Sequence, residues 1–164
     1  MFVVVVWAVL PNLSQKIPAY ITAGLQDTET LTRQKNLEER NIKEVYLVAD
    51  QTDQPAELLL IVETMGYNGP LKLRVQLDVK KSILANLTIL AHEESATYGA
   101  YAAEEWFLER FNGKDTAHDL RLAKVAAQNA QEVVAVTGAT ITSKAIIDGV
   151  NQAFSTYRKY QEGN

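Results

Sequence analysis

The sequence predicts an α+β fold, a mainly antiparallel sheet flanked by helices, and three observations carry that reading. Strand-length apolar runs follow one another from Glu44 to Glu94 with only short links between them. One of them alternates cleanly along LKLRVQLDV: Leu71, Leu73, Val75, Leu77 and Val79 face one way, and Lys72, Arg74, Gln76 and Asp78 face the other. That is the pattern of a half-buried strand. Helical patterns lie outside this block, the strongest of them at the C-terminal end.

The elements follow in chain order. Thr28 to Arg40 is polar enough for a surface helix, with Thr28 or Thr30 as its cap. EVYLVAD, Glu44 to Asp50, is short and β-branched, and AELLLIVETMGY, Ala56 to Tyr67, is a buried run broken at Gly66. After the alternating strand, Lys80 to Ser82 makes a tight connection into ILANLTILAHEE, Ile83 to Glu94. Its Ile83, Ala85, Leu87, Ile89 and Ala91 are expected on one face. Successive strands with short links favour an antiparallel meander. Tyr98 to Phe111 reads as a helix, with apolar Ala102, Trp106 and Phe107 near helical spacing and NGK closing it. Asp119 to Val125 fits helix or strand, QNAQ is a turn, and EVVAV is a short buried strand. The last helix, from about Thr142 to Tyr160, puts Ile146, Val150, Ala153, Phe154 and Tyr157 on one stripe.

Composition bounds the function. The 164 residues are the length of one domain, and 47% apolar with 22% charged residues is globular rather than disordered. A net charge of −4, with basic residues scattered apart from short pairs such as Lys80-Lys81, argues against nucleic-acid binding. The absence of cysteine excludes disulfides, thiolate metal sites and cysteine nucleophiles. His92 and His118 are the only histidines, and neither has a second ligand at metal spacing, so no metal is expected. No Ser-His-Asp order, nucleophile elbow or dinucleotide fingerprint is present, so direct NAD binding is not supported. Trp7 and Trp106 read as core or interface residues.

MFVVVVWAVL, Met1 to Leu10, is apolar up to Pro11. It is shorter than the roughly 20 residues of a spanning helix, and no basic region precedes it as in a secretory signal. It reads as the tail of an anchor that begins before this chain, as a buried strand, or as an exposed apolar segment.

The stretch VTGATITSKAIIDGV, Val136 to Val150, sets two small residues, Gly138 and Ala139, among the hydroxyls of Thr137, Thr140, Thr142 and Ser143, just before a helix. A helix N-terminus offers unpaired N–H groups and partial positive charge, which suit an anion. Small residues let backbone approach a ligand, and hydroxyls cap the helix or bind phosphate oxygens. The pattern therefore fits a phosphate cradle or a plain hydroxyl-rich cap.

TGATITS, Thr137 to Ser143, resembles the flavinylation motif S/T-G-A-T-x-T-S of the FMN-binding domain family, which includes the G subunit of the Rnf electron-transport complex and the C subunit of sodium-pumping NADH:quinone oxidoreductase. GYNGPLKLRVQLD, Gly66 to Asp78, is similar to the family's opening G-Y-G-G-x-I strand. HEESATYG, His92 to Gly99, resembles E-T-P-G-L-G, with Glu94 on its Glu, Ser95 on its Thr and Gly99 on its last Gly. WFLERFNGK, Trp106 to Lys114, is similar to W-x-x-x-F-x-G. The resemblance runs in order from about Glu44 to Tyr157. The chain departs from the family at Val134, where Asp is usual, and at Ala96-Thr97-Tyr98, where Pro-Gly-Leu is usual.

The resemblance implies FMN joined by a phosphoester to Thr140, with Thr137, Gly138, Ala139, Thr142 and Ser143 around the phosphate. Glu94 and Ser95 would meet the polar ring edge or the ribityl chain, and an acidic neighbour disfavours negative charge on the ring. Tyr98 supplies an aromatic contact or anchors the helix start, and Lys144 adds charge near the phosphate or is simply solvated. The implied protein is an electron-carrier subunit rather than a stand-alone enzyme. It would be membrane-associated with its flavin domain on the extracytoplasmic side, partnered by other subunits of a redox complex and matured by a separate flavin transferase. The expected division is an N-terminal segment over 1–43 and the FMN-binding domain over 44–160. The alternative, motivated by Val134, is a flavin-free or loosely FMN-binding structural module of the same fold.

Overall fold

The computed structural model describes residues 17–26 and 29–163. Met1 to Leu10, with Trp7, and the capping Thr28 lie outside the described residues. A short helix α1 (Ala19–Thr22) leads into five strands, β1 (Thr30–Arg33), β2 (Ile42–Ala49), β3 (Pro55–Met65), β4 (Pro70–Asp78) and β5 (Ile83–His92). Their spatial order equals their chain order, and every pairing is antiparallel, so the expected meander is present. A one-turn helix α2 (Glu105–Leu108) and a parallel strand pair, β6 (Arg121–Ala123) and β7 (Glu132–Val134), precede the long C-terminal helix α3 (Thr140–Glu162).

The sheet is covered on both faces. Leu58, Leu60 and Val62 of β3 join Leu71, Leu73, Val75 and Leu77 of β4 in the main core, against Ile146, Val150, Ala153, Phe154 and Tyr157 of α3. Leu59 and Ile61 point the other way, into a smaller core with Tyr46, Val48 and Ile21 of α1. Strand β3 sits at the centre of the sheet, so both sides of its apolar run are buried. The expected stripe of α3 is buried throughout, and the Tyr157 hydroxyl donates to Val79 O at 3.0 Å, which satisfies its polar end.

Several expectations need correction. The polar face of β4 is not solvated along its length: Arg74 is only 4% exposed. Its guanidinium donates to Ala23 O at 2.7 Å and Ile21 O at 3.4 Å, so a buried cation latches α1 onto the sheet. The segment read as a surface helix over Thr28 to Arg40 contains β1 and a 3-10 turn at Lys35–Leu37 instead. Its polarity is that of an edge strand, with one face open to water. In β5 the single-face assignment fails because two register shifts change its parity. Leu84 and Leu87 are buried, while Ala85 and Ala91 are exposed. Tyr98 to Phe111 is not one helix. A 3-10 turn at Gly99–Ala103, α2, and a second 3-10 turn at Glu109–Phe111 replace it, because Glu104 takes an extended conformation between the pieces. The ambiguous Asp119 to Val125 contains β6.

Candidate functional site

Three separated segments converge at the N-terminus of α3. Strand β7 delivers the chain into the Val136–Ala139 loop, which folds on itself through Ala139 N–H to Val136 O at 2.9 Å. Ser143 Oγ accepts the Val136 N–H at 3.0 Å, so this buried hydroxyl ties the loop to the first turn of the helix. Gly138 has φ +79, a left-handed conformation that favours glycine. A Cβ there would lie 2.5 Å from Cδ1 of Tyr98, so the Tyr98 ring packs directly on the loop.

The helix begins at Thr140, two residues before the expected start. Its first ladder bond is Ser143 N–H to Ala139 O at 2.8 Å. The N–H groups of Thr140, Ile141 and Thr142 therefore lie ahead of the ladder and face outward from the helix end. The N-cap is Ala139, and no side chain caps it. The plain capping role is thus not where these hydroxyls are spent: Thr137 and Thr140 are exposed, and Thr142 and Ser143 are bonded elsewhere.

Glu94, at the end of β5, joins the segments. It is 8% exposed. Its Oε2 accepts the Thr142 hydroxyl at 3.0 Å, and its Oε1 accepts the N–H groups of Tyr67 at 2.7 Å and Asn68 at 3.4 Å. A buried carboxylate needs such donors, and here they come from the β3–β4 turn and from α3. Two glycines make the room. A Cβ at Gly66 would fall 2.0 Å from Oε1, and one at Gly99 2.5 Å from Oε2.

These elements enclose a cleft of about 400 Å³, within the range of small-molecule sites. Of the residues expected from sequence, Glu94, Ser95, Tyr98, Gly138, Ala139, Thr140 and Thr142 line it. Thr137 and Ser143 stand beside it without lining it. Tyr67, Gly99 and Ile141 complete the wall. Tyr67 escapes sequence reasoning because GYNG reads as a hairpin turn, and only the fold brings that turn to the helix end.

Among the described residues no group of His, Asp and Glu could hold a metal ion. Lys144 pairs with Asp148 one turn along the surface of α3. Val134, at the family's usual Asp position, offers its carbonyl to Arg110 Nη1 at 3.0 Å, and that guanidinium stacks 5.0 Å from the exposed Trp106 ring. His92 is exposed and accepts the Glu94 N–H at 3.2 Å. No helix of the described residues is long and apolar enough to cross a membrane.

Comparison with known proteins agrees with this geometry. The chain is similar to the G subunit of the Na(+)-translocating ferredoxin:NAD(+) oxidoreductase complex of Acetobacterium woodii, with 27% identity over 135 residues, 81% of this chain and 64% of that protein. It is 30% identical to the G subunit of the ion-translocating oxidoreductase complex of Vibrio cholerae, over 93% of this chain and 74% of that protein. The chain thus spans just under two-thirds of the length of the Acetobacterium relative. Its fold matches the crystal structure of Shewanella oneidensis NqrC with a TM-score of 0.61 and 16% identity, over 82% of this chain and 70% of that one. Residues 66–155, more than half of the chain and every wall of the cleft, match the FMN-binding domain, and the chain belongs to that family.

Proposed function

We propose that this protein is an electron-carrier subunit of a membrane-associated redox complex and holds FMN through a phosphoester to Thr140. The observation that carries the proposal is the position of Thr140. It is the exposed first residue of α3, on the wall of the cleft, within the TGAT triplet. The cleft fits the group on its own terms. Glycine is required where the loop meets Tyr98, and unpaired N–H groups stand where a phosphate would lie.

When bound, FMN supplies reversible electron acceptance, and the protein supplies attachment, orientation and electrostatics. Thr140 Oγ1 would hold the group through an ester to its phosphate, made when a separate transferase donates the flavin phosphoryl from an activated phosphoanhydride and the leaving group departs with the hydroxyl proton. The N–H groups of Thr140, Ile141 and Thr142 and the positive end of α3 stabilise the ester phosphate. Gly138 and Ala139 keep side chains out of its way, Ser143 holds the loop through the Val136 N–H, and Thr137 stands exposed beside it. Glu94 and Ser95 meet the polar part of the flavin, and the buried Glu94 charge disfavours added negative charge nearby. The relatives, named as subunits of translocating oxidoreductase complexes, support partners of the same kind here, and in this reading the flavin domain lies on the extracytoplasmic side.

The test is to produce the protein with a flavin transferase and denature it. A gel band that keeps flavin fluorescence, lost in Thr140→Val, supports the reading. The Val134 carbonyl held by Arg110, where the family usually carries an acid, favours one alternative: a domain that binds FMN loosely or not at all. A colourless band would select that alternative, and titration of the native protein with free FMN then separates loose binding from none.

A further inference from the structure

Two large rings on the wall of the cleft are left mostly in water. Tyr67 is 69% exposed and Tyr98 58% exposed, yet both line the cleft. They come from different elements, the β3–β4 turn and the connection after β5. The Tyr67 N–H is bonded to Glu94 at 2.7 Å, and the Tyr98 ring lies on Gly138, in contact with the loop that ends at Thr140. Their hydroxyls have no partner among the described residues. Rings left this exposed stabilise the folded chain little, because most of their apolar area stays in water. The same rings beside a cleft lower the free energy of a planar aromatic guest by stacking, and stacking is additive to area burial.

Resting on the FMN reading above, we propose that Tyr67 and Tyr98 are the stacking surface for the isoalloxazine ring and position it over the Glu94 end of the cleft. A phenol stacked on a flavin quenches its fluorescence by electron transfer. The arrangement is therefore readable without any assay of electron transport.

The test uses the full chain produced with a flavin transferase, comparing wild type with Tyr67→Leu, Tyr98→Leu, the double variant and Trp106→Leu. Trp106 is an exposed aromatic that does not line the cleft. For each protein, flavin emission is measured folded and again after complete proteolysis, which gives an internal reference. The wild type is expected to be several-fold dimmer folded than digested. The double variant should be nearly as bright folded as digested, each single variant intermediate, and Trp106→Leu like the wild type. A wild type equally bright in both states, or quenching that survives in the double variant, overturns the proposal. If no flavin is attached, covalent attachment has failed, and the same five proteins are titrated with free FMN. Binding that weakens by about tenfold per ring removed supports the stacking surface even then. Binding unchanged by either substitution, or absent from the wild type, overturns it.

Discussion

Glu94 Oε2 and the Thr142 hydroxyl meet at 3.0 Å across 48 residues of sequence, and this contact locks the end of β5 to the first turn of α3. The other oxygen of the same carboxylate holds the β3–β4 turn. One buried side chain thus sets the mutual position of three of the four segments by which the chain resembles its family.

Thr142→Val tests that link. The substitution keeps the shape and removes the donor, leaving a buried carboxylate oxygen unsatisfied. A loss of about 1–3 kcal/mol is expected, with Thr142→Ser closer to wild type. Urea unfolding with an unchanged slope is the measurement. A midpoint equal to wild type would show that the contact does not hold the site together.

Gly138→Ala is expected to destabilise for two separable reasons. The left-handed backbone, at φ +79, costs a non-glycine residue about 1–2 kcal/mol, and the new Cβ meets Tyr98 Cδ1 at 2.5 Å. Adding Tyr98→Ala removes the second effect and leaves the first. The double variant should therefore recover only part of the lost stability in a double-mutant cycle.

Tyr46 predicts the alkaline limb of stability. Its hydroxyl donates to Glu44 Oε2 at 2.8 Å, and burial together with that carboxylate pushes the phenol up to about 12. The folded protein holds this proton more tightly than the unfolded chain does. The contribution is complete below pH about 10 and is lost as pH rises through about 12. Tyr46→Phe should lower Tm at neutral pH through the lost hydrogen bond, and should flatten the fall of Tm across that alkaline window. Thermal melts over the range decide it.

Much of the fold is legible in the sequence because period and burial agree there. Strand β4 alternates on its core face, and the stripe on α3 repeats at helical spacing. The failures have physical causes. Strand β1 is short, polar and at an edge, so it carries no alternation to read. The register shifts in β5 move Leu84 inward by a local backbone irregularity that side-chain pattern does not encode. Arg74 looks solvated until α1 is seen to cover it. At the site, the TGAT loop and Glu94 are readable as motifs. Tyr67 is not, because its place on the cleft wall depends on long-range pairing of β3 with β4. Thr142 and Ser143 look like phosphate ligands in sequence, whereas one hydroxyl is given to Glu94 and the other to the Val136 N–H.

The central claim is that Thr140 carries the flavin, and intact mass tests it most directly. The protein is produced with a flavin transferase as wild type, Thr140→Val and Thr137→Val. Thr140 is exposed, so its substitution should change stability by no more than about 0.5 kcal/mol, and a missing adduct cannot be blamed on misfolding. Wild type and Thr137→Val are expected to gain the mass of one FMN less one water, and Thr140→Val to gain nothing. An adduct that persists in Thr140→Val, or unmodified mass in all three, would contradict the account.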